Sequence, residues 1–206
     1  MPALLALLLL SLMATPIQDD EPKPVLSQDP LTQEQIAVYR AMLADYTKDG
    51  DGALNIANVT DPFGGGFTDP ALAEGCPKDS GEPPKSSPTA IVHRMDPSVV
   101  LNAKMLLVDP NQQLAIVKKN DPQHLVNSAV EGHAPVSDND VEKSVNKAFS
   151  TGLFSLSEII FNKKHTKAIL QYSFACGRLC GNGGMVLLQK VGNHWKVKKV
   201  CGGWVS

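Results

Sequence analysis

The chain lacks the motifs by which many sequences indicate an activity. It has no Gly-x-Ser-x-Gly nucleophile motif, no His-Glu-x-x-His zinc motif and no phosphate-binding glycine loop followed by lysine. It also lacks an excess of basic residues, since 19 Lys and Arg against 21 Asp and Glu give a formal net charge of −2. Nucleic acid and anionic membranes require a basic surface, so neither is expected as a partner.

No apolar run is long enough to cross a membrane. The most apolar one, at residues 2–13, falls short of the roughly 20 residues that a transmembrane helix needs. A short apolar run before small residues and a polar, proline-rich stretch is typical of a secretory signal, although no Lys or Arg precedes it here. We therefore expect a signal peptide at residues 1–15, a linker at residues 16–31, and a secreted or periplasmic protein without membrane insertion once the signal is removed.

Cysteine is scarce, with four residues in a chain of 206. An even number in an exported chain indicates two disulfide bonds rather than free thiols. The four candidates for these bonds are Cys76, Cys176, Cys180 and Cys201.

The rest of the chain is expected to form a single α+β domain. Within it we expect an N-terminal helical segment, a long loop and a core that contains the sheet, at residues 32–60, 61–90 and 91–206 respectively.

Two helices are predicted from capping residues and apolar spacing. Thr32 caps the first, and Gln35 completes a capping box. The second begins at Ser137 or Asp138 and extends to about Phe149. Its inner face is predicted to consist of Val141, Val145, Ala148 and Phe149.

Alternating apolar and polar residues predict a four-stranded antiparallel meander in the C-terminal half, packed on a helix. Two further strands are predicted earlier in the chain, at residues 103–108 and 114–119, joined by a turn at residues 109–113. In the meander, a two-residue turn at Gly192-Asn193 connects the last two strands. This turn sets a register that places Cys201 opposite Gly184.

The register bears on how the cysteines pair. Cys176 ends the strand on the other side of Gly184, so about two strand spacings of 4.8 Å separate it from Cys201. That separation exceeds the usual reach of a disulfide. Pairing of Cys176 with Cys180 is therefore favoured, which leaves Cys76 for Cys201 and tethers the long loop to the sheet. The sequence alone leaves all three pairings open.

The stretch after the first helix has part of an EF-hand calcium loop. Asp49, Asp51 and Asn55 occupy the third, fifth and ninth positions, where oxygen ligands are needed. Thr47 and Asn58 replace the acidic first ligand and the bidentate Glu at the twelfth position. The sequence predicts at most a weak calcium site and no other cofactor; the alternative is an Asp- and Gly-rich turn at a helix end.

Two features are candidates for catalysis. His93 follows an apolar stretch and is placed to line a cleft with Asp96, but no nucleophile accompanies it. Cys176 and Cys180 are one residue further apart than a redox Cys-x-x-Cys pair and lie in a glycine-rich turn, so a structural disulfide is favoured. The leading prediction is a non-enzymatic binding or structural module. The alternative is a hydrolytic or redox enzyme that uses His93 or the Cys176/Cys180 pair.

The C-terminal part carries a distinctive set of motifs. These are the stretch at residues 149–162, the run Cys176-Gly-Arg-Leu-Cys-Gly-Asn-Gly-Gly184, Trp195 and the ending Cys201-Gly-Gly-Trp-Val-Ser206. With them the chain resembles secreted proteins of unknown function from environmental bacteria. The resemblance implies export and a shared sheet. It implies no activity, and it weakens the calcium interpretation.

Overall fold

The computed structural model describes residues 23–64, 91–130 and 136–206. These residues form an α+β fold whose C-terminal region is rich in strands, which confirms the predicted class. The predicted signal peptide, Cys76 and most of the predicted long loop lie outside the described residues. Among the described helices, none has both the length and the apolar character needed to cross a membrane.

The described strands before residue 162 have two to four residues, and the three after it have 11 or 12. The strands are β1 (Val25–Leu26), β2 (Leu54–Ala57), β3 (Ile91–Val92), β4 (Met105–Val108), β5 (Leu153–Leu156), β6 (Ile160–Phe161), β7 (Lys167–Gly177), β8 (Cys180–Val191) and β9 (His194–Val205). The helices are α1 (Gln33–Tyr46), α2 (Pro110–Lys119), α3 (Gln123–Val130) and α4 (Asp138–Thr151), with a 3-10 helix at Pro97–Val99.

Seven strands form one mixed sheet in the order β4-β2-β5-β7-β8-β9, with β6 also paired to β7. Strand β2 is parallel to both of its neighbours, β4 and β5. From β5 onward the pairs are antiparallel. The sheet therefore extends beyond the four strands predicted from the sequence, because β2 and β4 join it through parallel pairing.

Helix α1 begins where the sequence predicts. Thr32 and Gln35 form the expected capping box. Val38, Tyr39 and Leu43 are fully buried, in one core cluster with side chains of β5, β7 and β8. Full burial of a Leu or Val side chain contributes about 1.5–3 kcal/mol, so this helix anchors the main core.

The predicted strand at residues 114–119 is wrong, because these residues belong to helix α2. Asp109 caps this helix through a hydrogen bond from the Gln112 backbone N–H, at 2.9 Å. Pro110 occupies the first turn, where its fixed φ suits a helix and its missing N–H costs nothing. Residues 109–113, which are predicted as a turn, therefore form the cap and the first turn of this helix.

The start of helix α4 agrees with the prediction, since Ser137 caps it and pairs with Asp140 in a capping box. The predicted inner face is correct at Ala148, partly so at Val145, which is half-buried, and wrong at the other two positions. Val141 is 46% exposed and Phe149 is 55% exposed, whereas Ala148 is fully buried. Phe149 stacks on Phe174 of strand β7 at 6.0 Å, so the helix meets the sheet at its C-terminal end and leaves its earlier turns in solvent.

The last hairpin keeps the predicted register only near its turn. Val191 faces His194 as expected, but two irregularities further along place Gly184 opposite Gly203 rather than opposite Cys201. A bulge adds a residue to one strand and moves every later pair. The predicted placement of Cys201 opposite Gly184 is therefore wrong.

The favoured disulfide is nevertheless present. Cys176 and Cys180 are bonded, with their Cα atoms 5.1 Å apart. Cys201 is fully buried beside Met185 and Leu187. The predicted bond from Cys201 to Cys76 stays a prediction, since Cys76 lies outside the described residues.

The end of the predicted linker is built into the fold. Strand β1 pairs in parallel with β3, so that Val25 faces Ile91 and Leu26 faces Val92. Leu31 is 5% exposed and belongs to the main core cluster. This segment consequently forms one wall of the pocket described next.

Candidate functional site

The segment after strand β3 positions two neighbouring residues with different surroundings, His93 and Arg94. On one side the Ser27 N–H donates to the Val92 carbonyl at 2.8 Å. On the other side the Thr60 N–H donates to the His93 carbonyl at 2.9 Å. These backbone bonds hold the segment extended between the N-terminal segment and the chain that follows strand β2.

His93 faces a largely buried carboxylate. Its Nδ1 lies 2.9 Å from Oε1 of Glu158, and the two side chains are 18% and 17% exposed. The same oxygen accepts hydrogen bonds from the His93 backbone N–H, at 2.9 Å, and from the Thr60 hydroxyl. One carboxylate oxygen thus serves three donors when Nδ1 carries the proton.

The network extends to helix α1 through Tyr39. Its hydroxyl donates to the Ser157 carbonyl at 2.9 Å. Burial, and secondarily the charge of Glu158, raise the pKa of Tyr39 well above its usual range. Tyr39 is consequently a neutral hydrogen-bond donor and not an acid of this site.

The predicted cleft of His93 and Asp96 does not form. Asp96 instead caps the 3-10 helix: its Oδ1 accepts from the Ser98 N–H at 2.7 Å and from the Ser98 hydroxyl at 2.6 Å. These two bonds, the hydroxyl first, lower the pKa of Asp96. The carboxylate next to His93 is that of Glu158 and not, as predicted, that of Asp96.

Arg94 lies on a pocket of about 390 Å³ between the N-terminal segment and the start of the 3-10 helix. Leu31 and Met95 contribute buried apolar surface to it, at 5% and 4% exposure. The pocket is lined by Leu26, Ser27, Gln28, Asp29, Pro30, Leu31, Arg94, Met95, Asp96 and Pro97.

Short polar side chains fix the walls of this pocket. The Asp29 N–H donates to the Ser27 hydroxyl at 3.1 Å, a local turn that precedes Pro30. Asp96 fixes the opposite wall through its cap. The Ser-x-Asp-Pro and Asp-Pro-Ser patterns are sequence signals for these turns, but nothing local in the sequence shows that the two walls meet.

The charged side chains of the pocket do not pair with one another. Within the described ranges, the guanidinium of Arg94 has no ion pair and no hydrogen bond, and neither does the carboxylate of Asp29. Arg94 therefore offers an unoccupied set of planar donors, which matches the geometry of a carboxylate or phosphate.

The calcium candidates are engaged in separate contacts. Asp51 accepts from the Ala53 N–H at 3.0 Å, and Asp49 is exposed. Asn55 donates to the carbonyls of Ser150 and Gly152, each at 3.1 Å. Among the residues that the structure describes, no group of three or more His, Cys, Asp or Glu side chains is placed to hold a metal ion. Calcium binding here stays a prediction.

The Cys176–Cys180 disulfide closes a loop that is held by Asp121. The Arg178 N–H donates to Asp121 Oδ2 at 2.9 Å. A Cβ on Gly177 would lie 2.8 Å from the other oxygen of this carboxylate, and Gly177 has a φ of +157°. Cys176 is fully buried, so a solvent thiol cannot reach its sulfur without opening the loop.

Comparison with known proteins assigns no family to this chain. A scan against protein-family models and searches of curated proteins and of solved structures found no match.

Proposed function

We propose that the protein is an exported, disulfide-stabilised binding module whose ligand site is the pocket beside Arg94. The observation that carries this proposal is the guanidinium of Arg94, which has no partner among the described residues and lies next to the buried side chains of Leu31 and Met95. Small-molecule sites typically combine a mostly apolar cavity of roughly 300–1,000 Å³ with a few convergent polar groups. The pocket, at about 390 Å³, falls at the small end of that range, and polar and apolar atoms share its open surface about equally.

The proposal also includes export of the protein and a supporting role for its sheet. The apolar start of the chain, the even number of cysteines and the resemblance to secreted bacterial proteins support a secreted or periplasmic location. The antiparallel strands of the C-terminal half form, on this proposal, a four-stranded meander that packs on α1 as a rigid support. The cysteine-closed loop then serves stability rather than redox chemistry.

The test is a titration of the mature protein with sodium benzoate and with inorganic phosphate, followed by backbone amide NMR. Benzoate combines a carboxylate for Arg94 with an apolar ring for the buried surface. We expect its addition to shift the amide signals of residues 26–29, 31 and 94–96, since Pro30 and Pro97 have no backbone N–H. Arg94→Gln should abolish these shifts, while Arg178→Gln, which removes an exposed arginine elsewhere, should preserve them. Shifts that persist in Arg94→Gln would overturn the proposal.

A second candidate is hydrolysis with His93 as general base, favoured by the contact between His93 Nδ1 and Glu158. A carboxylate at Nδ1 fixes the imidazole tautomer and leaves Nε2 able to take a proton from water. Within the described ranges, Glu158 is the only hydrogen-bond partner of the imidazole, so water would be the nucleophile. Ester hydrolysis that disappears in His93→Gln and survives in Arg94→Gln would support this candidate over the binding module.

A further inference from the structure

We propose that the pocket binds a small zwitterion with an apolar body, of the chemical class of an amino acid with an apolar side chain. This inference rests on the proposed function, namely that the pocket beside Arg94 is a ligand site, and adds the nature of the ligand. It follows from three properties of the lining residues: their charges, their apolar surface and the space between them.

The charges have both signs and are kept apart. Arg94 faces the same pocket as Asp29 and Asp96, yet neither carboxylate forms an ion pair with it in the described part of the chain. A purely anionic ligand such as benzoate would gain one attraction from Arg94 and meet two repulsions, so we expect it to bind, but more weakly than a ligand that also carries a positive charge. A ligand with a carboxylate and an ammonium group satisfies both signs at once.

The two acidic residues have different roles. Asp96 Oδ1 is already occupied by the two donors of Ser98, so this carboxylate is held in place by the 3-10 helix. Asp29 takes part in its turn through its backbone atoms only, so its carboxylate is available to a cation. We infer that the ligand's carboxylate binds Arg94 and that its ammonium group binds Asp29, with Asp96 adding to the negative potential.

The apolar surface accounts for the body of the ligand. Leu31 and Met95 belong to the main core cluster and are anchored in it, while Leu26 and the two prolines add apolar surface from the walls. Burial of apolar surface supplies affinity that exposed charges alone do not, because salt screens exposed pairs. At about 390 Å³ the pocket suits a single amino acid better than a nucleotide or a larger cofactor.

The experiment is isothermal titration of the mature protein with L-leucine and L-phenylalanine. N-acetyl-L-leucine, which lacks the ammonium group, and L-leucinamide, which lacks the carboxylate, are the matched probes. We expect the amino acids to bind and each modified probe to bind at least tenfold more weakly. Added salt should lower the affinity of the amino acids.

Two variants locate the charges. Arg94→Gln and Asp29→Asn should each weaken leucine binding about tenfold or more, while Arg178→Gln and Asp49→Asn, which change exposed charges outside the pocket, should leave it unchanged. Asp29→Asn retains the backbone turn with Ser27, so a loss of binding would not reflect a lost hydrogen bond of the fold.

The outcomes separate this inference from the function on which it rests. If N-acetyl-L-leucine binds as tightly as leucine and its binding requires Arg94, the pocket is an anion site: the zwitterion is wrong and the binding module stands. If neither the amino acids nor benzoate and phosphate bind in a manner that depends on Arg94, both proposals fall. Leucine binding that is indifferent to both Arg94→Gln and Asp29→Asn also overturns both.

Discussion

The described part of the chain contains two carboxylate–histidine pairs with nearly the same distance and different surroundings. Glu158 and His93 are 2.9 Å apart, and Glu34 and His165 are 2.8 Å apart. The first pair is 17% and 18% exposed, whereas the second is 27% and 57% exposed. The contact distance is thus no guide to the energetic weight of the pair, which depends on solvent and on the other partners of the carboxylate.

The partners differ as much as the burial does. Glu158 accepts from backbone and hydroxyl donors that are fixed by the fold. Glu34 instead meets Lys190, whose Nζ lies 2.7 Å from Oε1 and 5.6 Å from the ring of Trp195. The contacts of Glu34 with His165 and Lys190, called the surface clasp below, join the first turn of α1 to the hairpins of the sheet. Water can replace each of these contacts.

The largest expected effect is that of Glu158→Gln. This change removes a charge that serves three donors, so we expect the free energy of unfolding to fall by about 2–3 kcal/mol. Urea denaturation followed by circular dichroism measures it. A loss below about 0.5 kcal/mol would show that the inner pair is no stronger than a surface pair.

Thr60→Val tests the same network with a smaller change. Thr60 is 2% exposed, and its hydroxyl donates to Glu158 and accepts from the His93 N–H. Valine retains the shape and removes the hydroxyl, and we expect a loss of about 1–2 kcal/mol. Thr166→Val is the matched control on an exposed turn, where the hydroxyl accepts from Asn162; a loss there as large as in Thr60→Val would contradict the contrast.

Glu34→Gln breaks the surface clasp. Since its contacts are partly exposed and screened by solvent, we expect a loss of only about 0.5–1 kcal/mol, which 1 M salt should largely erase. The measurement is urea unfolding at low and high salt. If the loss equals that of Glu158→Gln, burial is not what separates the two pairs.

The smallest expected effect is the pH dependence of the stability that Glu34 contributes through the surface clasp. Hydrogen bonds from Lys190 and then from His165 lower the pKa of Glu34 below its ordinary value of 4.5. The folded state therefore binds this proton less readily than the unfolded state does. The contribution of Glu34 is fully present above pH 4.5 and is lost as the pH falls through the lower pKa of the folded state. The stability difference between the wild type and Glu34→Gln should shrink over that acidic range, and a difference that grows there would contradict the assignment.

The sequence predicts correctly those features that depend on residues close together in the chain. Thr32 and Gln35 are three residues apart, and the capping box of α1 followed from that spacing. His93 was singled out from the sequence, but its partner was expected to be the nearby Asp96. Glu158 lies 65 residues away, and only the pairing of distant chain segments brings it to His93.

Three features differ from the sequence-based predictions: the start of α2, the register of the last hairpin and the N-terminal wall of the pocket. Asp109-Pro110 was read as a turn, although aspartate followed by proline is also a typical helix start. The last hairpin has two register shifts. One lies in a stretch with Gly184, Gly202 and Gly203, where no side chains enforce the pairing. The other lies between Leu187 and Leu188 and has no such signal in the sequence. The pocket was missed because one of its walls was assigned to a linker.

The N-terminal wall of the pocket, residues 26–31, is held to the rest of the fold by a very short strand. Strand β1 is two residues long and pairs only with β3, in a small sheet apart from the seven-stranded one. A protease that cut after Asp29 would remove four of the ten lining residues and leave every described strand of the main sheet in place. If the pocket is the ligand site, as we propose, a single nick near residue 29 would end ligand binding and leave behind a folded domain that keeps its Cys176–Cys180 disulfide.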